Sequence, residues 1–298
     1  MKKRLILLDL PGGLGNQLFA YFFATSLPEP GKNRYFLNTR YIDLSHSNGK
    51  STIKGYKFEP QVTFFDFGFL INRLFEPFKR HLGFINKFPA LKILILDDSS
   101  SSLANKDIHK LIEKLNPKVI MIFGFWQNLD YFNSANRPVL RNPSNTYLDL
   151  IQRIQVENPV VFHYRLGRKN GAWEHAWGAL DAEYLRSAMD SLRASTNVQR
   201  DRPVWVFSND LPEAREILSS TKLRIEFVDD SSLSPCELFE VFSSSKSLIC
   251  SNSTFSILAA RVGQVSDVVI PRELSRRQPV YIPGIPSTWI RVNSTWLE

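Results

Sequence analysis

The chain has 298 residues, 43% hydrophobic and 22% charged, with a formal net charge of +8. At ~150 residues per domain this length suggests two domains, and the composition excludes a disordered chain, a collagen and a small disulfide scaffold. No apolar run approaches the ~18 residues of a membrane-spanning helix, and the basic surplus points to an anionic partner: nucleic acid, a membrane surface or a phosphate-bearing substrate.

Met1-Lys2-Lys3-Arg4 ahead of Leu5 imitates a signal peptide, but Asp9 and Pro11 end the apolar segment early, so a soluble cytosolic protein is expected. Short apolar runs then alternate with helix-like stretches, the pattern of βαβ units. A first strand is predicted at 5–9, followed by a turn rich in glycine and a helix over 16–27. Gly12, Gly13 and Gly15 permit a tight turn and close approach of a ligand to backbone N–H groups. Leu18 stands where the last glycine of G-x-G-x-x-G falls, so this is neither a dinucleotide fingerprint nor a P-loop. Three glycines followed by Asn16 and Gln17 still exceed what a plain strand-to-helix turn requires.

Strands are predicted at 34–37, 93–96 and 119–123, with a helix over 105–115. Between them, Arg73, Lys79, Arg80, Lys87 and Lys92 alternate with aromatic and aliphatic residues from Phe64 onward. The stretch reads either as an amphipathic segment for an anionic membrane surface or as a packed helix pair with a solvated basic face. Residues 137–145 contain Pro138 and Pro143 and read as a linker, with a helix over 148–156 bridging two halves.

In the second half, strands at 160–163, 204–207, 225–228, 247–250 and 268–270 alternate with helices over 181–195, 212–219, 235–245 and 254–262. Three strand ends carry polar clusters. In the cluster from His163 to Lys169, Arg165 offers a fork of donors suited to a diphosphate. His163 either orients that loop, contacts a ligand or is a satisfied core residue, and the basic loop itself fits a solvated surface as well. Asn209 and Asp210 suit a ligand or a helix cap. The run Ser251, Asn252, Ser253, Thr254, Phe255, Ser256 opens a helix with more polar residues than capping requires, which favours an anion site. Cys236 and Cys250, the only cysteines, fit a reduced compartment and exclude a cysteine-built metal centre.

Taken in order, these segments resemble the α-1,2-fucosyltransferases of glycosyltransferase family 11. The resemblance rests on Gly12 to Gln17, Gly124-Phe125-Trp126-Gln127 with Tyr131-Phe132, the His163–Arg168 segment, Phe207 to Asp210 and Asn252 to Ser256, which are collinear and span about residues 5–271. It implies an α/β fold of GT-B type, with two Rossmann-like domains of mostly parallel sheets facing across a cleft. Residues 1–142 would form the acceptor side and residues 143–298 the donor-binding domain. It further implies an inverting transfer of fucose from GDP-fucose to a sugar hydroxyl, with no metal and no other cofactor. Carried over by position, Arg165 neutralises the departing diphosphate. Asn252, Ser253, Thr254, Phe255 and Ser256 add contacts to it, and Asn209 and Asp210 fix the nucleotide. Gly12, Gly13, Gly15, Asn16 and Gln17 face the cleft. His163 and Glu174 complete the catalytic set with Arg165, Glu174 as the base, with His175, Asp181 and Asp9 as rivals. Arg168 stands where the family has an aspartate, which leaves open another nucleotide sugar or a non-catalytic relative. The implied setting is synthesis of surface polysaccharide such as O-antigen, on a lipid-linked acceptor, by a cytoplasmic enzyme attached peripherally to an anionic membrane. Nucleic acid is the least favoured partner, because the basic residues are dispersed.

Overall fold

The first apolar run becomes β1 (Arg4–Asp9), and the helix after it, α1 (Leu14–Ser26), is buried on almost every side. The computed structural model describes residues 3–39, 53–65, 86–88, 92–97, 105–166, 177–196, 198–199, 201–277 and 280–297. The chain divides into two units, Met1–Arg141 and Asn142–Glu298.

In the first unit, β1 lies inside a six-stranded sheet with β2 (Asn33–Asn38), β4 (Val62–Phe65), β5 (Asn86–Phe88), β6 (Ile93–Leu96) and β7 (Val119–Ile122), in the order β4-β2-β1-β7-β6-β5. Every neighbour pair is parallel except β5 with β6. A helix that is apolar all round is a core helix, and α1 accordingly packs Phe23 flat on Trp126, at 3.7 Å between ring centroids, and Tyr21 edge-on to Phe58. The amphipathic α2 (Asn105–Leu115) buries Ile108 and Ile112. At the amino end of the sheet the Arg4 guanidinium donates to the carbonyls of Pro28 and Pro117.

The second unit contains β9 (Val160–Tyr164), β10 (Val204–Ser208), β11 (Ile225–Phe227), β12 (Ser247–Ile249), β13 (Asp267–Pro271) and β14 (Ile290–Val292). They form one all-parallel sheet in the order β11-β10-β9-β12-β13-β14. Strands buried on both faces read as continuous apolar runs, as in Val204-Trp-Val-Phe-Ser208. One face of β9 gives Val160, Phe162 and Tyr164 to a core shared with α4 (Ala182–Ser195) and α5 (Leu211–Leu218). The other face meets α6 (Pro235–Ser243) and α7 (Thr254–Gly263), with Phe207 edge-on to Phe242. The helix α3 (Asn145–Glu157) lies on this second face too, where Arg153 covers the Trp205 ring at 4.4 Å. Arg202 reproduces the clamp of the first unit, donating to the backbone carbonyl and side chain of Asn158 and to Ser247 Oγ at 3.2 Å.

Mostly parallel α/β sheets are thus present in both units. The differences from the sequence reading lie at edges and ends. The span read as a linker holds β8 (Val139–Leu140), which pairs antiparallel with β3 (Tyr56–Lys57). The helix expected over 148–156 starts earlier, at Asn145, because Ser144 Oγ accepts the Tyr147 N–H. It groups with the second unit. Edge strands β4, β5 and β14 were not expected, being short and poor in contrast with their flanks. Most of the basic stretch from Phe64 to Lys92 lies outside the described residues.

Candidate functional site

Numbered from its own first strand, the sheet of the second unit runs 3-2-1-4-5-6, the doubly wound order whose connections diverge between strands 1 and 4. Those strands are β9 and β12. Ligands of such sheets bind beyond the carboxyl ends of the strands at this divergence. Arg165 follows β9, and Cys250 to Ser256 follow β12.

His163, two residues before Arg165, turns its ring to the aromatic side, 5.0 Å from Phe242 and 5.7 Å from Phe255 between centroids. Its Nδ1 is buried with no hydrogen-bond partner. Burial, and then the nearby Arg165 charge, lower its pKa to about 3. The imidazole is therefore a neutral dipole near pH 7. Asn209 is exposed, and its Oδ1 accepts the Leu166 N–H at 2.9 Å, which fixes the backbone just after Arg165. Asp210 accepts the Glu213 N–H at 3.0 Å and caps α5.

After β12 the polar residues divide by task. Asn252 donates its amide to the carbonyls of Trp177 and Gly178, at 3.2 and 3.0 Å. Ser253 is buried and caps α7 by accepting the Phe255 N–H. Ser256, fully buried, donates to Ser253 O. Thr254 and Phe255 are half-buried. The Ser251 hydroxyl is buried with no hydrogen-bond partner. No acidic residue occupies the first turn of α7, whereas α4, α5 and α6 carry Glu183, Glu213 and Glu237 there. The unpaired N–H groups of a helix start carry partial positive charge, so the α7 start keeps a field favourable to an anion. From the opposite face Tyr164 and Tyr184 donate to Leu180 O and Cys250 O, each at 2.7 Å, and brace both strand ends.

In the first unit the glycine turn follows β1, a central strand flanked by β2 and β7. Gly12 has φ +57°, a left-handed conformation that glycine adopts without strain. Gln17, fully buried, donates its amide to Gly12 O at 2.7 Å. Gln127, from the turn after β7, donates to Asn16 Oδ1 at 2.9 Å. Gly13 precedes α1 and faces open space, and Gly15 is buried within the helix. Phe125 is 43% exposed beside Gly12. Asp9 accepts the Asn38 amide at 3.1 Å.

A family model for glycosyl transferase family 11 matches residues 104–275, more than half of the chain. The chain belongs to glycosyltransferase family 11. The match takes in Arg165, Asn209 and the Ser251–Ser256 run, and leaves out the glycine turn. No curated protein sequence matches the chain. Among solved structures, a variant of FUT1 from Arabidopsis thaliana in complex with GDP is 11% identical, covering 90% of this chain and 70% of that one, with a TM-score of 0.50. The fucosyltransferase NodZ from Bradyrhizobium is 13% identical, with coverage of 87% and 92% and a TM-score of 0.46. A family 9 glycosyltransferase from Veillonella parvula is 10% identical, with coverage of 98% and 86% and a TM-score of 0.48. The FUT1 likeness bears on the fold, which is of the GT-B type.

Of the expected site residues, the structure gathers His163, Arg165, Asn209, Asp210 and Asn252 to Ser256 at the carboxyl end of one sheet. Gly167, Arg168, Lys169, Glu174 and His175 lie outside the described residues. Asp181, a rival for the base, caps α4 through the Tyr184 N–H and accepts the Thr295 hydroxyl. The sequence reading overlooked Tyr164 and Tyr184. A buried tyrosine needs a partner for its hydroxyl, yet the partners are carbonyls 16 and 66 residues away. No helix among the described residues is long and apolar enough to cross a membrane.

Proposed function

We propose that this family 11 glycosyltransferase moves fucose from GDP-fucose to a sugar hydroxyl with inversion, forming an α-1,2 linkage. The observation that carries the reading is the placement of Arg165 at the divergence of an all-parallel sheet whose neighbouring helix start, at α7, carries no acid. Residues 143–298 take the donor and residues 1–142 serve the acceptor. The Arg165 fork pairs with the diphosphate, and the α7 N–H groups and the Ser251 hydroxyl add donors. As the bond from the sugar to the phosphate oxygen breaks, GDP leaves with the electron pair, and fixed positive charge stabilises it most at that moment. Such charge does the work that a divalent metal does elsewhere, so no metal is assigned.

His163, held neutral, keeps Arg165 from sharing the site with a second cation. Asn209 holds the backbone after Arg165, and Asp210 keeps α5 anchored beside it. The acceptor hydroxyl attacks the anomeric carbon and loses its proton to a carboxylate, assigned to Glu174. The acceptor class is an oligosaccharide of a surface polysaccharide, lipid-linked at an anionic membrane face. A second reading, another nucleotide-sugar donor on the same fold, rests on Arg168 in place of the family aspartate.

Thermal denaturation with GDP, GDP-fucose, GDP-mannose, UDP and dTDP separates the two. A ligand at ~100 times its dissociation constant stabilises the fold by ~2.7 kcal/mol. Selective stabilisation by GDP and GDP-fucose is expected, and NMR of a transfer product is expected to show an α-1,2 linkage. Stabilisation by UDP or dTDP alone removes fucose, and silence across the panel removes nucleotide-sugar binding.

A further inference from the structure

The turn after β7 departs twice from ordinary backbone. Gly124 has φ +102° and Trp126, a bulky residue, has φ +50°. A left-handed conformation at a bulky side chain is rare and costs of order 1–3 kcal/mol, and it persists only where surrounding contacts impose it. Those contacts are present. The Trp126 indole is 1% exposed, stacks on Phe23 at an interplanar angle of 3°, and donates Nε1–H to Phe123 O at 2.8 Å. With Trp126 locked inward, its neighbour Phe125 is turned outward and is 43% exposed. It stands at the carboxyl end of the central strands, the ligand-binding end of a parallel sheet. A Cβ built on Gly12 would lie 3.0 Å from Asn16 Nδ2 and 3.6 Å from Phe125 Cε1, so the amide and the ring both border the glycine turn. The open space at Gly13 and the Asn16–Gln127 amide pair complete this surface.

An aromatic face is electron-rich and attracts polarised C–H groups. A pyranose has an apolar face of axial C–H bonds and a rim of hydroxyls, which an aromatic ring and carboxamides match together. We propose that Phe125 is the stacking platform for the acceptor pyranose, with Asn16 and Gln127 reading the hydroxyls at its edge. The inference deepens the proposed transfer and rests on it, since it names the residue that orients the acceptor ring.

The test is saturation-transfer NMR on the full chain with GDP present, using the methyl β-pyranosides of galactose, glucose and N-acetylglucosamine. In the wild type, saturation is expected on the axial C–H protons of one sugar face of at least one glycoside. Phe125→Ala and Phe125→Leu are expected to weaken that binding about tenfold, and Phe125→Trp to restore it. Failure of Leu together with rescue by Trp separates ring stacking from apolar bulk. Folding is checked by the melting temperature and by the shift that GDP induces, which all three variants are expected to retain. Equal sugar binding in wild type and Phe125→Ala, or no saturation of any of the three glycosides, overturns the assignment. Loss of the GDP shift in the wild type itself would instead overturn the donor reading.

Discussion

The carboxyl ends of the central parallel strands carry different chemistry in the two sheets. In the first unit hydrogen bonds fix the polar side chains of the turn in place: Gln17 donates to Gly12 O, and Gln127 to Asn16 Oδ1. What it presents outward is the open backbone at Gly13 and the Phe125 ring. In the second unit the end of the sheet retains a buried hydroxyl on Ser251 and a buried nitrogen on His163 without partners, beside the acid-free start of α7. An unmade buried hydrogen bond costs ~1–3 kcal/mol. The contrast teaches that one end is built around a fixed turn and an exposed aromatic ring, while the other keeps buried polar atoms without partners beside an acid-free helix start, as suits an anionic ligand.

The comparison breaks most visibly at Arg165. Arg165→Ala is expected to remove ~3 kcal/mol of transition-state stabilisation, about two orders of magnitude in kcat/KM for the donor, while the melting temperature moves little. Steady-state kinetics read this directly, and unchanged turnover would detach Arg165 from the leaving group. In the first unit the expected effect falls on stability instead. Gln17→Ala leaves Gly12 O without its donor and opens a void, at a cost of ~2–3 kcal/mol, measurable by urea unfolding.

The His163 ring sharpens the contrast through pH. The folded imidazole holds a proton only near pH 3, whereas an unfolded one holds it from ~6.5 downward. The lowered pKa therefore contributes stability that is complete above pH 6.5 and is lost as pH falls towards 3, by ~1.4 kcal/mol per pH unit. His163→Phe is expected to flatten that part of the curve in unfolding experiments, and an unaltered slope would assign the acid sensitivity to other groups. The smallest effect is expected at Ser251. Removing an orphaned hydroxyl in Ser251→Ala should leave the unliganded fold equal or more stable, by up to ~1 kcal/mol, yet weaken GDP binding several-fold. Lower stability of the unliganded variant would show that the hydroxyl is already satisfied.

The central strands of both sheets were legible because parallel strands buried on both faces read as apolar runs. The short edge strands β4, β5 and β14 and the two-residue pairing of β3 with β8 were not, since none has enough length to show a pattern. At the candidate site, the residue types after β9, β10 and β12 form polar clusters that the sheet brings to one end. Their directions were hidden. Asn252 reads as a ligand contact but spends its amide on carbonyls 74 and 75 residues away. Asn16 is engaged by a glutamine 111 residues distant. Such partners are set by topology, which local sequence does not display. The orphaned Ser251 and His163 atoms likewise emerge only once the packing is known.

The most direct test is a calorimetric titration of GDP into the wild type, Arg165→Ala and Gly13→Ala, a position where a Cβ meets nothing and the backbone is extended. Binding by the wild type, weakened at least tenfold in Arg165→Ala and retained in Gly13→Ala, is expected if the second unit alone holds the diphosphate. Equal GDP affinity in wild type and Arg165→Ala, or a greater loss in Gly13→Ala, would contradict that assignment and move the anion site to the glycine turn.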